Sequence, residues 1–191
     1  MKISTIEQIT KDTLKHKIIA FPTDTVYGVG AMITDIEAIE KIYQLKQRDF
    51  QKPLAILAAT KEDILPYIET PSSQVLELME QHWPGPLTIV FRKSKAVSNQ
   101  LTRGLDTIGF RIPNEPAALQ LLKQVGPLAT TSINISGQPP LNDPNCIEQA
   151  FGNQIDYLYA HAVHASQVSS TVIDATKSPI VILRQGEIHI Q

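Results

Sequence analysis

Residues 46–52 set three cations, Lys46, Arg48 and Lys52, at the end of an apolar-periodic run. Lysine supplies point charges and arginine a two-pronged donor, so such a cluster suits a polyphosphate. A helix dipole favours the same charges at its C-terminus, so a solvated cap fits as well. Arg111 is placed differently: it lies between Phe110 and Ile112 in an apolar run. A guanidinium there is costly unless it is paired or faces a ligand cleft, and either role fits. Arg184 follows four apolar residues at 180–183, a position common for surface arginines. The run 130–137, Thr-Thr-Ser-Ile-Asn-Ile-Ser-Gly, carries five hydrogen-bonding side chains after a strand. Ser132 stands outside a Gly-x-Ser-x-Gly elbow and has no evident base nearby, which disfavours a serine hydrolase. These residues suit polar-ligand binding, and Ser169-Ser170-Thr171 repeats the pattern ahead of another apolar run.

The positioning element is the stretch 18–30, Ile-Ile-Ala-Phe-Pro-Thr-Asp-Thr-Val-Tyr-Gly-Val-Gly. Its apolar start predicts a buried strand, which Pro22 ends by removing a backbone donor. Thr23, Asp24, Thr25 and Tyr27 then crowd into five positions, and Gly28 and Gly30 permit a tight turn or close ligand approach. Open α/β sheets place ligands at such strand ends. The stretch is neither a dinucleotide fingerprint, since Ile33 stands where a third Gly would, nor a Walker loop.

The 191 residues are 42% hydrophobic and 19% charged, the balance of an ordinary globular chain. The formal charge of −2 lacks the basic excess of a large non-specific nucleic-acid footprint. A single cysteine, Cys146, excludes an intramolecular disulfide and a cysteine-rich zinc site. His161 and His164 are the only close pair of histidines, without a carboxylate at ligand spacing, so no protein-held metal is expected. The N-terminus lacks a secretory pattern and no apolar run is long enough to span a membrane, so a cytoplasmic protein without a membrane partner is expected.

Capping boxes at Ser4/Glu7 and Thr34/Glu37 predict helices over 5–15 and from 36 onward. Further helices are predicted from Thr60 to a break at Pro66, over 73–81, from an Asn114 cap to Gly126, and over 145–151. Strands are predicted at 17–21, 54–58, 87–91, 107–112, 128–132, 157–160, 171–173 and 180–183. Residues 93–106 read as a polar, mobile loop, and Gln185-Gly186 as a turn back into 188–190. This alternation predicts an α/β fold in one domain spanning 1–191. Some connections are too short for parallel crossovers, so a mixed sheet is expected. Phosphate-ready cations, a strand arginine and many hydroxyls without a nucleophile suit a nucleotide enzyme that works by positioning and charge stabilisation.

The run from Phe21 to Gly30 resembles the signature of the YrdC/Sua5 family, the threonylcarbamoyl-AMP synthases. Further blocks match in order: Lys46-x-Arg48 with Lys52-Pro53-Leu54, the run 83–88, the run 109–113, the run 131–137, the run 170–174 and the run 183–186. The resemblance implies a twisted, open mixed sheet flanked by helices around a positively charged cavity. It implies synthesis of threonylcarbamoyl-AMP and pyrophosphate from L-threonine, bicarbonate and ATP. That product serves the threonylcarbamoyl modification at position 37 of ANN-decoding tRNAs. ATP would be a substrate, with magnesium carried alongside it. Downstream tRNA threonylcarbamoyl-transfer proteins would be partners, and direct RNA or tRNA contact is compatible with the family.

Carried over onto this sequence, Thr25, Arg111, Thr130 and Ser170 would contact threonine. Lys46, Arg48, Lys52, Thr107, Ser132, Asn134 and Arg184 would contact ATP or the adenylate, with Lys46, Arg48 and Lys52 also offsetting charge during catalysis. The chain resembles the short single-domain form, without the extra C-terminal domain of longer Sua5 proteins. It departs from the family pattern at Ile133, Glu115 and Leu57, where Ala, His and often His stand. A different class of function, a non-catalytic module gripping double-stranded RNA or a ribosomal precursor through the same basic cavity, is disfavoured by the acidic balance.

Overall fold

The computed structural model describes residues 2–3, 5–161, 166 and 168–190. A mixed sheet runs through it, formed by β1 (Lys2–Ile3), β2 (Ile19–Phe21), β3 (Gly28–Met32), β4 (Ala55–Leu57), β5 (Leu87–Arg92), β6 (Thr107–Arg111), β7 (Leu128–Ser132), β8 (Tyr157–Leu158), β9 (Thr171–Asp174) and β10 (Val181–Arg184). The spatial order is β1-β8-β2-β3-β7-β4-β6-β5-β9-β10. The pairs β1–β8, β2–β8, β4–β6 and β5–β9 are parallel and the others antiparallel. The helices are α1 (Lys11–Leu14), α2 (Ile36–Lys46), α3 (Ser73–His82), α4 (Pro116–Val125) and α5 (Pro144–Phe151). No helix among the described residues is long and apolar enough to cross a membrane.

Side chains alternate across a strand, so each central strand serves two faces. On one face Val29, Ile56, Phe110, Ile89, Ala129 and Ile173 join Ile39 and Ile42 of α2 and Met79 of α3 in the main core. On the other, Ile19, Phe21, Leu57 and Leu128 pack against Leu121 and Leu122 of α4 in a smaller core. Only part of that second face is covered, and the uncovered strands carry the site described below.

The helices form where apolar spacing and caps coincide. Asp35 caps α2 by accepting from the Ala38 amide at 3.1 Å, and Ile39, Ile42 and Tyr43 face the core. Glu115 caps α4 by accepting from the Ala117 amide at 3.1 Å, with Pro116 in the first turn and Gly126 at φ +86° ending it. These correct the expected caps at Thr34 and Asn114 by one residue each. The helix expected over 5–15 divides instead. A 3₁₀ turn at Ile6–Gln8 stops where Ile9 is extended, and Thr10 starts α1 by accepting from Thr13 N at 3.2 Å. Threonine side chains compete for backbone donors and favour such caps over a helix interior. Ser4, the other expected cap, lies outside the described residues. Between Thr60 and Pro66 no α-helix forms. The Asp63 carboxylate takes the Thr60 amide and hydroxyl, and only a 3₁₀ turn follows at Leu65–Tyr67.

Two other expectations fail. The tight turn that Gly28 and Gly30 would permit does not form: residues 28–32 are β3, a central strand paired to β2 and β7. The glycines serve close packing: a Cβ on Gly28 would lie 2.8 Å from Thr130 Cγ2, and one on Gly30 3.0 Å from Phe21 Cε1. Residues 188–190 form no strand. The Ile188 carbonyl instead accepts the Thr171 hydroxyl at 2.6 Å, which folds the segment back onto β9.

A buried ammonium joins α2 to β7. Lys46, the last residue of α2, is 2% exposed, and its Nζ donates to Ser132 O at 2.5 Å, Asn134 O at 2.8 Å and Asn134 Oδ1 at 2.7 Å. The Ser136 amide returns a bond to Lys46 O at 2.9 Å. Burial, then the positive charge of Arg48, pulls the Lys46 pKa down to about 8, and the three oxygens hold the proton against both. The solvated-cap reading therefore fails for Lys46: it faces the sheet and not water.

Two stability changes follow. Phe110→Ala empties a fully buried site beside Tyr67 and should destabilise the fold by ~3–5 kcal/mol in urea titration. A loss under ~1 kcal/mol would mean that Phe110 is not a core anchor. Lys46→Met strips a donor from three oxygens and should cost ~1–3 kcal/mol, measured in the same way. Stability unchanged within ~0.5 kcal/mol would show that the ammonium is not a structural tie.

Candidate active site

A cavity of about 540 Å³ occupies the uncovered part of the second sheet face. Its lining follows the strand alternation in β4, β5 and β6: Ala55 and Leu57 from β4, Thr88 and Val90 from β5, Thr107, Gly109 and Arg111 from β6. Gly28 from β3, the consecutive Thr130, Thr131 and Ser132 from β7, Val172 from β9, and Leu183 and Arg184 from β10 complete it. The 22–27 connection adds Thr23, Thr25 and Val26, and the segment after α2 adds Arg48 and Pro53. Among the described residues, three that line the cavity are arginines and none that lines it is acidic. From Thr107 to Arg111 is five residues of strand, or four residue steps, so the floor runs ~13 Å along β6.

Arg111 closes one end. It is 5% exposed and has both of the roles left open by sequence, since it lines the cavity and is also ion-paired. Its Nε donates to Gly85 O at 3.0 Å, its Nη1 to Thr25 Oγ1 at 2.9 Å, and its Nη2 to Asp24 Oδ1. Those bonds occupy three of its five N–H donors and leave one on each terminal nitrogen. Burial lowers its pKa, opposed by Asp24. The partners are themselves fixed. Thr23 Oγ1 accepts from the amides of Thr25 at 3.2 Å and Val26 at 3.3 Å and donates to Val26 O at 2.7 Å. The Gly85 amide donates to Ile112 O at 2.8 Å, which ties the 83–86 turn to the end of β6. Only glycine fits there, because a Cβ would stand 2.5 Å from His82 O.

Arg48 and Arg184 serve the remaining wall. Gln47 adopts the left-handed conformation at φ +50° and the Arg48 amide bonds Tyr43 O at 3.0 Å, a closing turn that swings Arg48 away from the α2 axis. The Arg48 Nε then donates to Lys52 O at 3.2 Å and Nη2 to Pro53 O at 3.1 Å. Arg184 donates to Ser170 O from Nε at 3.0 Å and from Nη2 at 2.8 Å, and Nη2 also reaches Ser170 Oγ at 3.1 Å. The Ser170 and Thr88 hydroxyls share a hydrogen bond at 2.8 Å. Burial lowers the Arg184 pKa and the nearby Arg48 charge lowers it further.

Eight of the eleven residues singled out by sequence line this one cavity: Thr25, Arg48, Thr107, Arg111, Thr130, Ser132, Ser170 and Arg184. Lys46 and Asn134 stand behind it. Asn134 Oδ1 accepts both Lys46 Nζ and the Ser132 hydroxyl, the latter at 2.7 Å, so the pair orients Ser132. Lys52 is exposed and outside the lining, so of the expected cationic cluster only Arg48 reaches the cavity wall. The three departures from the family pattern resolve individually. Leu57 lines the cavity, Ile133 is fully buried in the core and Glu115 caps α4.

Sequence reasoning had not singled out Asp24 as the partner of Arg111, Gly85 as its backbone anchor, or Thr88 as the partner of Ser170. Strand alternation carried a signal for Thr88, which sits between the core residues Leu87 and Ile89 and must face the other way. No local pattern marked Gly85, because its role depends on a contact 26 residues away. Cys146 is exposed. His164 lies outside the described residues. Among those residues no group of three or more His, Cys, Asp or Glu side chains could hold a metal ion.

Comparison with known proteins places this chain in a family. A family model for Sua5, YciO and YrdC, described as telomere recombination, matches residues 12–186. The threonylcarbamoyl-AMP synthase of Vibrio campbellii is 34% identical over 183 residues, which is 94% of this chain and 98% of that protein. The P. abyssi Sua5 structure complexed with L-threonine superposes with a TM-score of 0.85 at 37% identity, covering 90% of this chain. This chain spans about half of that longer protein, 51% of its length. E. coli YciO superposes with a TM-score of 0.81 at 29% identity, over 89% of this chain and 83% of its own. With the mixed sheet and the motif blocks in matching order, the chain belongs to the Sua5/YciO/YrdC family.

Proposed function

We propose that this chain is an L-threonylcarbamoyladenylate synthase, a nucleotidyltransferase that converts L-threonine, bicarbonate and ATP into threonylcarbamoyl-AMP and pyrophosphate. The observation that carries the reading is the single cavity joining the Arg111 end to the Arg48–Arg184 wall. The relatives named for this activity and the threonine-bound Sua5 support it. The two free N–H donors of Arg111 match a carboxylate, and Thr25 and Ser170 offer hydroxyls and Thr130 its backbone for the rest of threonine. Arg48, Arg184, Thr107 and Ser132 take the nucleotide, with Lys46 and Asn134 orienting Ser132 from behind and Lys52 at the rim.

Bicarbonate loses its hydroxyl as its C–OH bond breaks, and threonine's amine bonds to the resulting CO₂ carbon. The amine proton leaves with that hydroxide as water to give the carbamate. A carbamate oxygen then attacks the α-phosphorus, and the bond to the β-phosphate oxygen breaks to release pyrophosphate. The protein needs no nucleophile for this sequence. Its work is to hold the labile carbamate away from water and to offset charge on the departing pyrophosphate. Burial first, and then the neighbouring Arg48 charge, lower the Arg184 pKa; this supports a cavity of net positive character, and an anion between the two guanidiniums would relieve their repulsion. Magnesium travels with ATP as part of the substrate. The product would supply a protein that transfers the threonylcarbamoyl group to tRNA, in the cytoplasm.

Pyrophosphate release should require threonine, bicarbonate and ATP together. Release that ignores threonine or bicarbonate would overturn the reading, and RNA retention without any release would favour the binding-module alternative. Arg111→Lys keeps the charge but not the fork. Threonine affinity by calorimetry should fall ~10- to 100-fold, while ATP affinity without threonine stays within about twofold. Weakened ATP with unchanged threonine would assign Arg111 to the phosphates. Unchanged binding of both would leave it only its structural bonds to Asp24, Thr25 and Gly85.

A further inference from the structure

Residues 93–106, expected to be a mobile loop, are anchored, and their anchor reaches the site. Val97, Leu101 and Thr102 are buried, and Arg103 takes a left-handed backbone at φ +55°. That backbone carries its guanidinium onto the Tyr43 ring, 4.1 Å from the centroid, and to within 5.7 Å of the Phe50 ring centroid. The two rings stack on each other at 5.2 Å. Arg103 Nη1 pairs with Glu40 Oε1 at 2.6 Å, while Nε and Nη2 are buried with no hydrogen-bond partner. A charged group left with two unpartnered donors is held there by the rings and one carboxylate, a combination that needs this side chain in this place.

Tyr43 passes that constraint onward. Its hydroxyl donates to Lys52 O at 2.9 Å, and the same carbonyl accepts Arg48 Nε at 3.2 Å. Arg48 is the cavity arginine of the 46–52 run. Direct contacts therefore run from Arg103 through Tyr43 to the Lys52 carbonyl and then to the Arg48 guanidinium. The same loop carries Leu105, which lines the cavity with Thr107.

We propose that Arg103 is a positioning residue that fixes the Arg48 guanidinium in the cavity wall by clamping Tyr43 and Phe50. Its effect on ATP rests on the nucleotide role given to Arg48 above, whereas its effect on Arg48 itself does not. Without the clamp the 47–53 segment keeps its helix-closing turn but loses the platform that fixes the Lys52 carbonyl.

The test is Arg103→Met, which keeps an unbranched side chain at the left-handed position, with Arg103→Lys as the conservative variant. Circular dichroism and thermal melting confirm folding. Nitrogen-resolved NMR then follows the Arg48 Nε–H, and calorimetry follows both ligands. In Arg103→Met the Arg48 Nε–H should lose its protection from exchange, and ATP affinity should fall about tenfold while threonine affinity stays within about twofold. Arg103→Lys keeps the charge for Glu40 and should recover part of both effects. An Arg48 Nε–H as protected as in the wild type, in folded Arg103→Met, would overturn the proposal. A loosened Arg48 with unchanged ATP affinity would uphold the clamp and overturn the nucleotide role of Arg48.

Discussion

Strand alternation is the constraint on which the rest depends. β5 and β6, the strands at the centre of the cavity floor, each spend one side on the main core and have only the other for ligand. In β6 this gives Ile108 and Phe110 to the core and Thr107, Gly109 and Arg111 to the cavity. In β5 it gives Leu87, Ile89 and Phe91 to the core and Thr88 and Val90 to the cavity. A one-residue slip in either strand would bury a polar residue in the core and turn apolar residues toward the ligand. Register and site geometry are therefore one property. The small residues on the ligand side, Gly28, Ala55 and Gly109, leave room that a larger side chain would fill.

Charge inside the fold is handled in two ways. Lys46 is surrounded by three oxygens and has every N–H directed at protein, so it ties elements together. Arg111, Arg48 and Arg184 are held by two or three bonds each and still line the cavity. Their anchors are mostly backbone carbonyls, which orient a guanidinium without neutralising it. Asp24 on Arg111 is the exception, and it offsets the burial of the most enclosed of the three. Cations held by dipoles in the absence of anions are poised for an anionic substrate.

Much of this was legible in the residues themselves. Apolar runs with turn residues located most strands, and short connections implied the mixed sheet. The position of Arg111 between Phe110 and Ile112 signalled a constrained guanidinium, though not that it would be both paired and cavity-facing. Gly28–Met32 escaped because glycines in a central strand look locally like a turn, and their reason lies across the sheet in Thr130 and Phe21. The helix at the N-terminus was overextended because periodicity does not register where a threonine prefers to cap. Lys46 and Arg48, two residues apart, read as one cluster. A left-handed Gln47 without glycine separates their fates, and no local composition announces it. The clamp by Arg103 was invisible for the same reason, since its partners lie 60 residues earlier in the chain, near Tyr43.

The central claim is that one sheet face holds both substrates, with threonine's carboxylate at Arg111 and the phosphates at Arg48 and Arg184. A crystal structure of this chain with L-threonine and α,β-methylene ATP, whose α–β bridge cannot release pyrophosphate, tests it directly. The account predicts the carboxylate within hydrogen-bond reach of Arg111 Nη1 and Nη2, and the triphosphate against Arg48 and Arg184 in the same cavity. Threonine bound away from Arg111, or a nucleotide seated outside this cavity, would contradict it.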